Sequence, residues 1–421
     1  MREYLNFKPL KNTEIARVVG KSEGTIRNAK KNAVDVYNRY LLDAKKELYP
    51  FWTLDEMAKI KEKDRDILKE KLSQIDAVEY QKANNKEEIY YQFNILEMTD
   101  LRDEYRDFNK TNVISIINRK GGVAKTTNSI NLATALSKAG FNVLFVDYDT
   151  QANASQSFGI RPKLHDKPFI IDLILKAGKA ELTKEEAKDA IVHMSDKLHS
   201  IGKFDLIPNA GDIKTRELSD TLQQELELYG TTVTALNELL SLIKDDYDFV
   251  IIDTPPNDNS VSFTMLVMAT DHFIISYKPQ REAIEGTSMI FSHLKEKLEK
   301  PYKLRRKKPI SLLGGIISEY DERVKIENDY AKECEEEFSY YIDKFNLPKK
   351  NKIFPQKIKK LQIFKKISNQ AYLGSLFSPF ALKGGKNEIL GTNELFVIKS
   401  YLEIASQVVE SIIIDCYAQE N

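Results

Sequence analysis

Short apolar runs, each ended by polar residues or glycine, recur through the last three quarters of the chain. Three of them, at 113–117, 143–146 and 249–252, are rich in Val, Ile and Phe. Continuous apolar runs of this kind are typical of strands covered on both faces, as in a parallel sheet. Between the first two, residues 128–138 carry apolar side chains at helical spacing, namely Ile130, Leu132, Ala133 and Leu136. The pattern therefore predicts a strand–helix–strand unit within an α/β sheet.

The first predicted strand runs into a glycine pair and then into the start of the helix. The segment between them comprises Lys120, Gly121, Gly122, Val123, Ala124, Lys125, Thr126 and Thr127. Glycines let the backbone turn and present its N–H groups to phosphate oxygens, and the helix N-terminus adds partial positive charge. In such a loop Lys125 would reach the β- and γ-phosphates, and the Thr126 hydroxyl would contact Mg²⁺. We predict a phosphate-binding loop, although a chance Gly-Gly turn stays open at this point.

Acidic residues end the other two predicted strands. Asp147 and Asp149 follow the strand at 143–146, and Asp253 follows the strand at 249–252. Carboxylates at the carboxyl ends of parallel strands point into the ligand crevice of an open α/β sheet. Asp253 fits a Walker B aspartate, which commonly holds Mg²⁺ through water. Each aspartate alone is also compatible with an ordinary turn, but their order along the chain favours a nucleotide site.

The phosphate loop departs from the usual G-x-x-x-x-G-K-[ST] pattern, because Arg119 and Ala124 replace the outer glycines and Lys120 precedes the glycine pair. In this form it resembles the deviant loop of the ParA/MinD class of P-loop ATPases, in which the extra lysine crosses to the nucleotide of a second subunit. The resemblance to a ParA-type partition ATPase spans roughly residues 110–415. It includes SYKPQREAIEGTSMI at 276–290, where the family follows a strand with a proline loop near the adenine.

The resemblance implies a P-loop, doubly wound, mostly parallel sheet with flanking helices, and ATP or ADP with Mg²⁺ as cofactors. Its implied catalytic residues are Lys120, Lys125 and Asp149, of which Asp149 positions the attacking water. Its implied nucleotide contacts are Lys120, Gly121, Gly122, Val123, Ala124, Lys125, Thr126, Thr127 and Pro279. Its implied metal ligands are Thr126, Asp147 and Asp253. Ala124 stands where the family more often has glycine, and we expect its small side chain to fit the tight loop.

Composition excludes several classes of protein and of site. The 421 residues are 42% hydrophobic and 30% charged, which suits two or three domains with a large core. No apolar run approaches the roughly 18 residues of a membrane span, and the N-terminus lacks the apolar core of a signal peptide. Cys334 and Cys416 lie far apart without C-x-x-C spacing, so no disulfide framework, zinc site or iron–sulfur site is indicated. We therefore expect a cytoplasmic protein, and the resemblance implies that it associates with the nucleoid.

Charge is not uniform along the chain, although the formal net charge is zero. Residues 1–40 contain nine Lys and Arg against four Asp and Glu. In the same stretch Ala16, Gly20 and Ile26 have the spacing of a helix-turn-helix, with a small contact residue, a turn glycine and an aliphatic anchor. Ser22 can cap the second helix. The predicted DNA-contacting residues are Lys21, Ser22, Thr25, Arg27 and Asn28. A helical hairpin with a solvated charged face is the alternative.

These features divide the chain into three parts. We predict an all-α, winged helix-turn-helix region at residues 1–63, in which Thr53 begins a further helix. A charged segment with loose helical spacing, residues 64–109, predicts a helical linker and a candidate dimer contact. Residues 110–421 then form the deviant P-loop ATPase domain.

A second basic segment lies near the C-terminus. Eight lysines and no Asp or Glu occur between 349 and 366. Within this segment we define a lysine strip, which comprises Lys357, Lys359, Lys360, Lys365 and Lys366. We expect the lysine strip to contact DNA phosphates without sequence preference. A solvated face is the alternative for this segment. Residues 394–417 predict a helix that packs on the sheet, and its acidic polar face disfavours a membrane helix.

The resemblance implies a plasmid or chromosome partition ATPase. Such a protein forms an ATP-sandwich homodimer, binds DNA non-specifically and hydrolyses ATP under stimulation by a ParB-type centromere-binding partner. Through the N-terminal region it would also bind an operator and repress its own operon. Two alternatives remain: a nucleotide-switched transcription regulator with negligible turnover, and a MinD-like membrane-positioning ATPase.

Overall fold

The fold is taken from a computed structural model. It describes residues 11–33, 36, 51–53, 90–92, 95–198, 200–211, 233–256, 261–282, 284–286, 290–291, 311–344, 352–362, 364, 374–377 and 392–420. The strands are β1 (Phe51–Thr53), β2 (Tyr90–Gln92), β3 (Asn112–Ile117), β4 (Val143–Asp147), β5 (Val192–His193), β6 (Phe204–Ile207), β7 (Phe249–Asp253), β8 (His272–Tyr277), β9 (Ser311–Ile317) and β10 (Lys352–Ile353).

The helices flank these strands. They are α1 (Asn12–Val18), α2 (Glu23–Asn32), α3 (Ile95–Asp107), α4 (Lys125–Lys138), α5 (Asn153–Ser157), α6 (Ile170–Gly178), α7 (Lys184–Asp189), α8 (Ser195–Leu198), α9 (Ala235–Ile243), α10 (Val261–Ala269), α11 (Lys325–Lys344) and α12 (Thr392–Glu420). Short 3₁₀ turns occur at Pro162–Leu164 and Lys244–Asp246.

Strands β3 to β10 form one sheet in the order β10-β9-β8-β3-β7-β4-β6-β5. Its neighbouring strands are parallel except for the pair β5 and β6. The three strands predicted from apolar runs are β3, β4 and β7, which confirms those predictions. Their side chains are buried throughout, because helices cover both faces of the sheet.

Alternate side chains of each strand enter two different cores. Ile114 and Ile116 face a core shared with α3, α4 and α12. Val113 and Ile117 face a second core, which includes residues of α6, α9, α10 and α11. The period of two along a strand thus builds a three-layer, doubly wound sheet. The prediction that the C-terminal segment packs on the sheet is also confirmed, since Val408 of α12 lies in the first core.

The connection out of β3 places a crevice at the carboxyl end of the sheet. Strand β3 pairs with β7 on one side and with β8 on the other. The chain leaves β3 through α4 and returns as β4 beyond β7. Ligands bind at such switch points in open α/β sheets, outside the carboxyl ends of the strands. The phosphate loop begins at this point.

The segment predicted as a helical linker differs from that prediction in two ways. Tyr90–Gln92 form strand β2, which pairs antiparallel with β1, since aromatic residues on both segments favour β structure. Helix α3 belongs to the ATPase core, where Tyr105 packs against Phe141 and Phe249. The Tyr105 hydroxyl also donates to the Asp248 carbonyl at 2.7 Å. The N-terminal part is therefore not all-α in the described residues, and the linker helix is not independent of the ATPase domain.

Helices α1 and α2 contact each other across a tight turn. Gly20 has a φ of 64°, a conformation that suits glycine. Ala16 and Ile26 are buried between the helices. Ser22 caps α2 by accepting a hydrogen bond from the Thr25 amide at 3.1 Å, as predicted. Thr53 ends β1, and the helix predicted to follow it lies outside the described residues.

Candidate active site

The loop between β3 and α4 holds its backbone in two left-handed turns. Gly122 has a φ of 74° and Ala124 a φ of 64°. An alanine in this conformation costs about 1–2 kcal/mol relative to glycine. The Lys120 amide donates to the Asn118 side-chain oxygen at 2.9 Å, which fixes the start of the loop. The glycine pair is exposed, so its backbone is open to a ligand.

Lys125 extends across the loop from the first turn of α4. Its Nζ donates to the Lys120 carbonyl at 3.0 Å, and the residue is only 7% exposed. Burial lowers the pKa of Lys125, whereas the carboxylates of Asp253 and Asp149 raise it. The lysine is thus a cation with fixed geometry, held between the loop and two acidic groups.

Asp253 is a buried carboxylate with unused hydrogen-bonding capacity. The Ser129 hydroxyl donates to its Oδ1 at 3.1 Å. Its Oδ2 has no hydrogen-bond partner among the described residues. Burial raises the pKa of Asp253 to about 7, although the neighbouring Thr126 hydroxyl lowers this pKa. A buried acceptor without a donor is costly, so this oxygen requires a cation or a water molecule.

Asp147 is equally buried, but its oxygens are engaged. Its Oδ2 accepts from the Ser155 amide at 2.7 Å and from the Ser155 hydroxyl at 2.6 Å. Its Oδ1 accepts from the Asp149 amide at 3.2 Å. Burial and the charge of Asp253 raise the pKa of Asp147 to about 8. Asp147 therefore braces the turn after β4, and the geometry favours Asp253 over it as a metal ligand.

The donors at this end of the sheet fit Mg²⁺. Among the described residues no group of three or more His, Cys, Asp or Glu side chains could hold a metal on its own. Mg²⁺ needs no such cage, because it binds one or two carboxylates together with phosphate oxygens and water. The Thr126 hydroxyl at the cleft and the unpaired Asp253 oxygen would complete such a set.

Asp149 faces the same cleft as Lys125. Its Oδ1 accepts from the Gln151 amide at 2.9 Å, and its carbonyl accepts from the Asn209 side chain at 3.1 Å. Burial raises the pKa of Asp149, while the Gln151 hydrogen bond and the Lys125 charge lower it. The side chain is thus held at the cleft wall, where it can orient a polar group.

A cleft of about 570 Å³ lies over the phosphate loop, within the range of small-molecule sites. Its lining includes these predicted site residues: Gly121, Gly122, Ala124, Lys125, Thr126, Thr127 and Asp149. The other predicted residues do not line it: Lys120, Val123, Asp147, Asp253 and Pro279. Val123 and Pro279 are buried, whereas Lys120 is exposed. The structure thus brings most of the predicted phosphate residues together.

The sequence did not reveal the far walls of the cleft. These are formed by Gln151, Asn153, Gln156, Ser157, Pro256, Glu319, Phe364 and Gly374. Glu319 follows β9 with a φ of 56°, and it pairs with Lys278 after β8 at 2.7 Å. The position of Glu319, a polar residue at the carboxyl end of a parallel strand, could have predicted that it lines the cleft. Phe364 and Gly374 gave no local signal.

The predicted DNA-contacting residues of the N-terminal region are all exposed, namely Lys21, Ser22, Thr25, Arg27 and Asn28. Three of them make contacts within α2 and its cap. The Thr25 hydroxyl is 2.8 Å from Ser22 Oγ, and Arg27 pairs with Glu23 at 2.8 Å. Such exposed pairs are weak, so a nucleic acid could compete for both side chains.

The lysine strip is partly neutralised by acidic residues. Lys357 pairs with Glu335 at 3.0 Å, and Lys359 pairs with Glu322 at 3.0 Å. Lys360 is exposed. The remaining two members, Lys365 and Lys366, lie outside the described residues. The net positive charge of this surface is therefore smaller than the number of its lysines alone would give.

Helix α12 and both cysteines are consistent with a packed core. In the part of the chain that is described, no helix is both long and apolar enough to cross a bilayer. Cys334 and Cys416 are buried and form no disulfide with each other.

Comparisons with known proteins show which family this chain resembles. A protein-family model described as an AAA domain matches residues 111–305. The chain is 31% identical over 245 residues to the chromosome-partitioning ATPase Soj of Treponema pallidum, and the match covers 58% of this chain and 82% of that protein. It is 27% identical over 232 residues to the chromosome partitioning protein ParA of Caulobacter vibrioides, covering 55% and 78%.

The fold has a counterpart among solved structures. Apo McdA from Cyanothece is 22% identical with a TM-score of 0.50, and the match covers 70% of this chain and 100% of that chain. This likeness confirms the predicted mostly parallel α/β fold.

Proposed function

Because the chain belongs to the ParA/Soj family of chromosome-partitioning ATPases, we propose that it binds Mg²⁺-ATP in the cleft over the phosphate loop and hydrolyses it during DNA partition. One observation carries this proposal most directly. Lys125 and Thr126 begin α4 and Asp149 follows β4, yet all three line one cleft.

The residues at the cleft have distinct roles in the proposed hydrolysis of ATP. The backbone N–H groups of the glycine pair hold phosphate oxygens, and Lys125 neutralises the β- and γ-phosphates. Asp149 orients the attacking water, a positioning role on which phosphoryl transfer depends. Thr126 and Asp253 would hold Mg²⁺, which would supply further charge neutralisation at the phosphates.

We further propose that two copies of the chain enclose the nucleotides. The exposed side chain of Lys120 supports this, because it does not enter the cleft of its own subunit. The dimer would bind DNA non-specifically, associate with the nucleoid and hydrolyse ATP faster with a ParB-type partner. Helix α2 would contact an operator and repress the operon. The domain division at 1–63, 64–109 and 110–421 belongs to the same proposal, except that α3 (Ile95–Asp107) packs with the ATPase domain.

An ATPase assay with non-specific DNA and a ParB-type partner tests the proposal. We expect slow turnover that rises with both additions. Lys125→Ala should abolish nucleotide binding, as measured by calorimetry. The control variant Lys179→Ala removes an exposed lysine just beyond α6, and its nucleotide binding should be unchanged. Operator binding that depends on nucleotide without turnover would favour a regulator. Nucleotide-dependent sedimentation with liposomes would favour a membrane-positioning ATPase.

A further inference from the structure

A chain of buried hydrogen bonds connects the C-terminal helix α12 to the phosphate loop. The Tyr401 hydroxyl donates to Asn128 Oδ1 at 2.7 Å. The Asn128 amide donates to Ser276 Oγ at 2.8 Å. The Ser276 hydroxyl then donates to the Val123 carbonyl at 2.6 Å. Tyr401, Asn128 and Ser276 are each 0% exposed, so water does not compete with these bonds.

The direction of each bond is fixed by its neighbours. Asn128 Oδ1 also accepts from the Ser318 hydroxyl at 2.9 Å, so two hydroxyl donors face the oxygen and the amide NH₂ must face Ser276. Burial raises the pKa of Tyr401 well above its ordinary value, so its hydroxyl remains a donor. Without the Tyr401 hydroxyl, one of the two groups that orient Asn128 is lost.

This network acts on the peptide between Val123 and Ala124. A trans peptide is planar, and its C=O and N–H point in opposite directions. Because Ser276 holds the Val123 carbonyl, the Ala124 N–H is directed away from Ser276. Ala124 lines the cleft in a left-handed conformation with φ 64°, which persists only when the surroundings hold it.

We infer that Tyr401 is a positioning residue for nucleotide binding: through Asn128 and Ser276 it holds the Val123–Ala124 peptide in its phosphate-binding orientation. This inference rests on the proposed function of the cleft. It also makes α12 part of the nucleotide-binding unit, although this helix contributes no residue to the described lining of the cleft.

Tyr401→Phe tests the inference, and Tyr105→Phe is its matched control. Tyr105 is 2% exposed, and its hydroxyl donates to the carbonyls of Lys110 and Asp248 at 2.9 and 2.7 Å. Both variants lose buried hydroxyl bonds, and Tyr105→Phe should lose at least as much stability because its hydroxyl also accepts from the Asn112 amide at 2.7 Å. Only Tyr401→Phe should weaken Mg²⁺-ATP binding, by about five- to ten-fold. Its KM should rise by a similar factor while its kcat stays close to wild type.

Hydrogen exchange gives a second readout that a merely structural role would not produce. Mg²⁺-ATP should increase amide protection in α12 around Tyr401 in the wild type and in Tyr105→Phe, but not in Tyr401→Phe. Equal nucleotide affinity and equal protection in the two variants would overturn the inference. If the wild type itself binds no Mg²⁺-ATP, the proposed function fails instead, so the two failures are distinguishable.

Discussion

Asp147 and Asp149 are two residues apart, yet the fold places their carboxylates in different surroundings. Asp147 accepts three hydrogen bonds from protein donors and lies outside the cleft lining. Asp149 lies in that lining together with Lys125. A carboxylate that must orient a water molecule needs access to the ligand, and only Asp149 has it.

Asp149→Asn should therefore separate binding from hydrolysis. The amide keeps the shape of the side chain but removes the charge that orients water, so we expect turnover to fall by about 100-fold while Mg²⁺-ATP affinity changes little. Steady-state hydrolysis and calorimetry measure the two quantities. Asp147→Asn is the comparison, because it should lower the unfolding free energy through the loss of the Ser155 contacts. Unchanged turnover in Asp149→Asn would contradict the assigned role.

Ala124 contributes strain at the loop, because it adopts φ 64° with a Cβ atom. We expect Ala124→Gly to raise the unfolding free energy by up to about 1 kcal/mol, since the relief of left-handed strain exceeds the added chain entropy of glycine. Ala139 ends the same helix with φ −80°, so Ala139→Gly should destabilise the protein. Urea denaturation measures both. A loss of stability in Ala124→Gly would show that the left-handed strain is smaller than the added chain entropy of glycine.

At the scale of elements, α4 carries a lysine that the sequence pattern does not distinguish from a surface residue. Lys138 is 1% exposed, and its Nζ donates to the Leu198 carbonyl at 2.7 Å. Burial lowers the pKa of Lys138 from 10.5 to about 7. The folded state therefore binds fewer protons than the unfolded state between these values.

This difference predicts how stability varies with pH. Because the unfolded chain holds the extra proton, the free energy of unfolding of the wild type should rise as pH increases from about 7 towards 10.5, relative to Lys138→Met. Denaturant unfolding of both proteins at several pH values measures this slope. Lys163→Met, at an exposed position, controls for the loss of one lysine charge. A constant difference between wild type and Lys138→Met across this range would contradict the expectation.

The elements that could be predicted are those with strong local patterns. Apolar runs identified β3, β4 and β7, and helical spacing identified α4 and α12. Strand β2 was missed because the charged segment around it has only loose helical spacing. The Ser276 and Asn128 contacts could not be predicted either, since a single polar residue in an apolar run does not indicate its partner. Phe364 and Gly374 reach the cleft only through the tertiary fold.

At the scale of the whole molecule, Lys120 is predicted to act between subunits. Its side chain is exposed, whereas its backbone is fixed through Asn118 and Lys125. Lys120→Ala should keep these backbone bonds, so nucleotide binding by the monomer should persist. Dimerisation should weaken, because the lost cation would face the other subunit's phosphates. Light scattering with a slowly hydrolysed ATP analogue measures this, and an undiminished dimer would refute the cross-subunit role.

The two proposed DNA activities should be separable by location. Substitution of Thr25, Arg27 and Asn28 should abolish operator footprinting, because each lost base contact costs about 1–3 kcal/mol. Alanine substitution throughout the lysine strip should instead weaken ATP-dependent binding to any DNA and flatten its salt dependence, since lysines contact phosphates.

The ion pairs of the lysine strip make the second half of this prediction sharper. Glu335 and Glu322 hold Lys357 and Lys359 at 3.0 Å each, so DNA phosphates must compete with these carboxylates. Glu322→Gln with Glu335→Gln should therefore strengthen non-specific binding at low salt and steepen its salt dependence. Operator footprinting should stay unchanged, because neither glutamate lies in α2. If the glutamine variant binds non-specific DNA no better than the wild type, the strip is a solvated face and the non-specific site lies elsewhere.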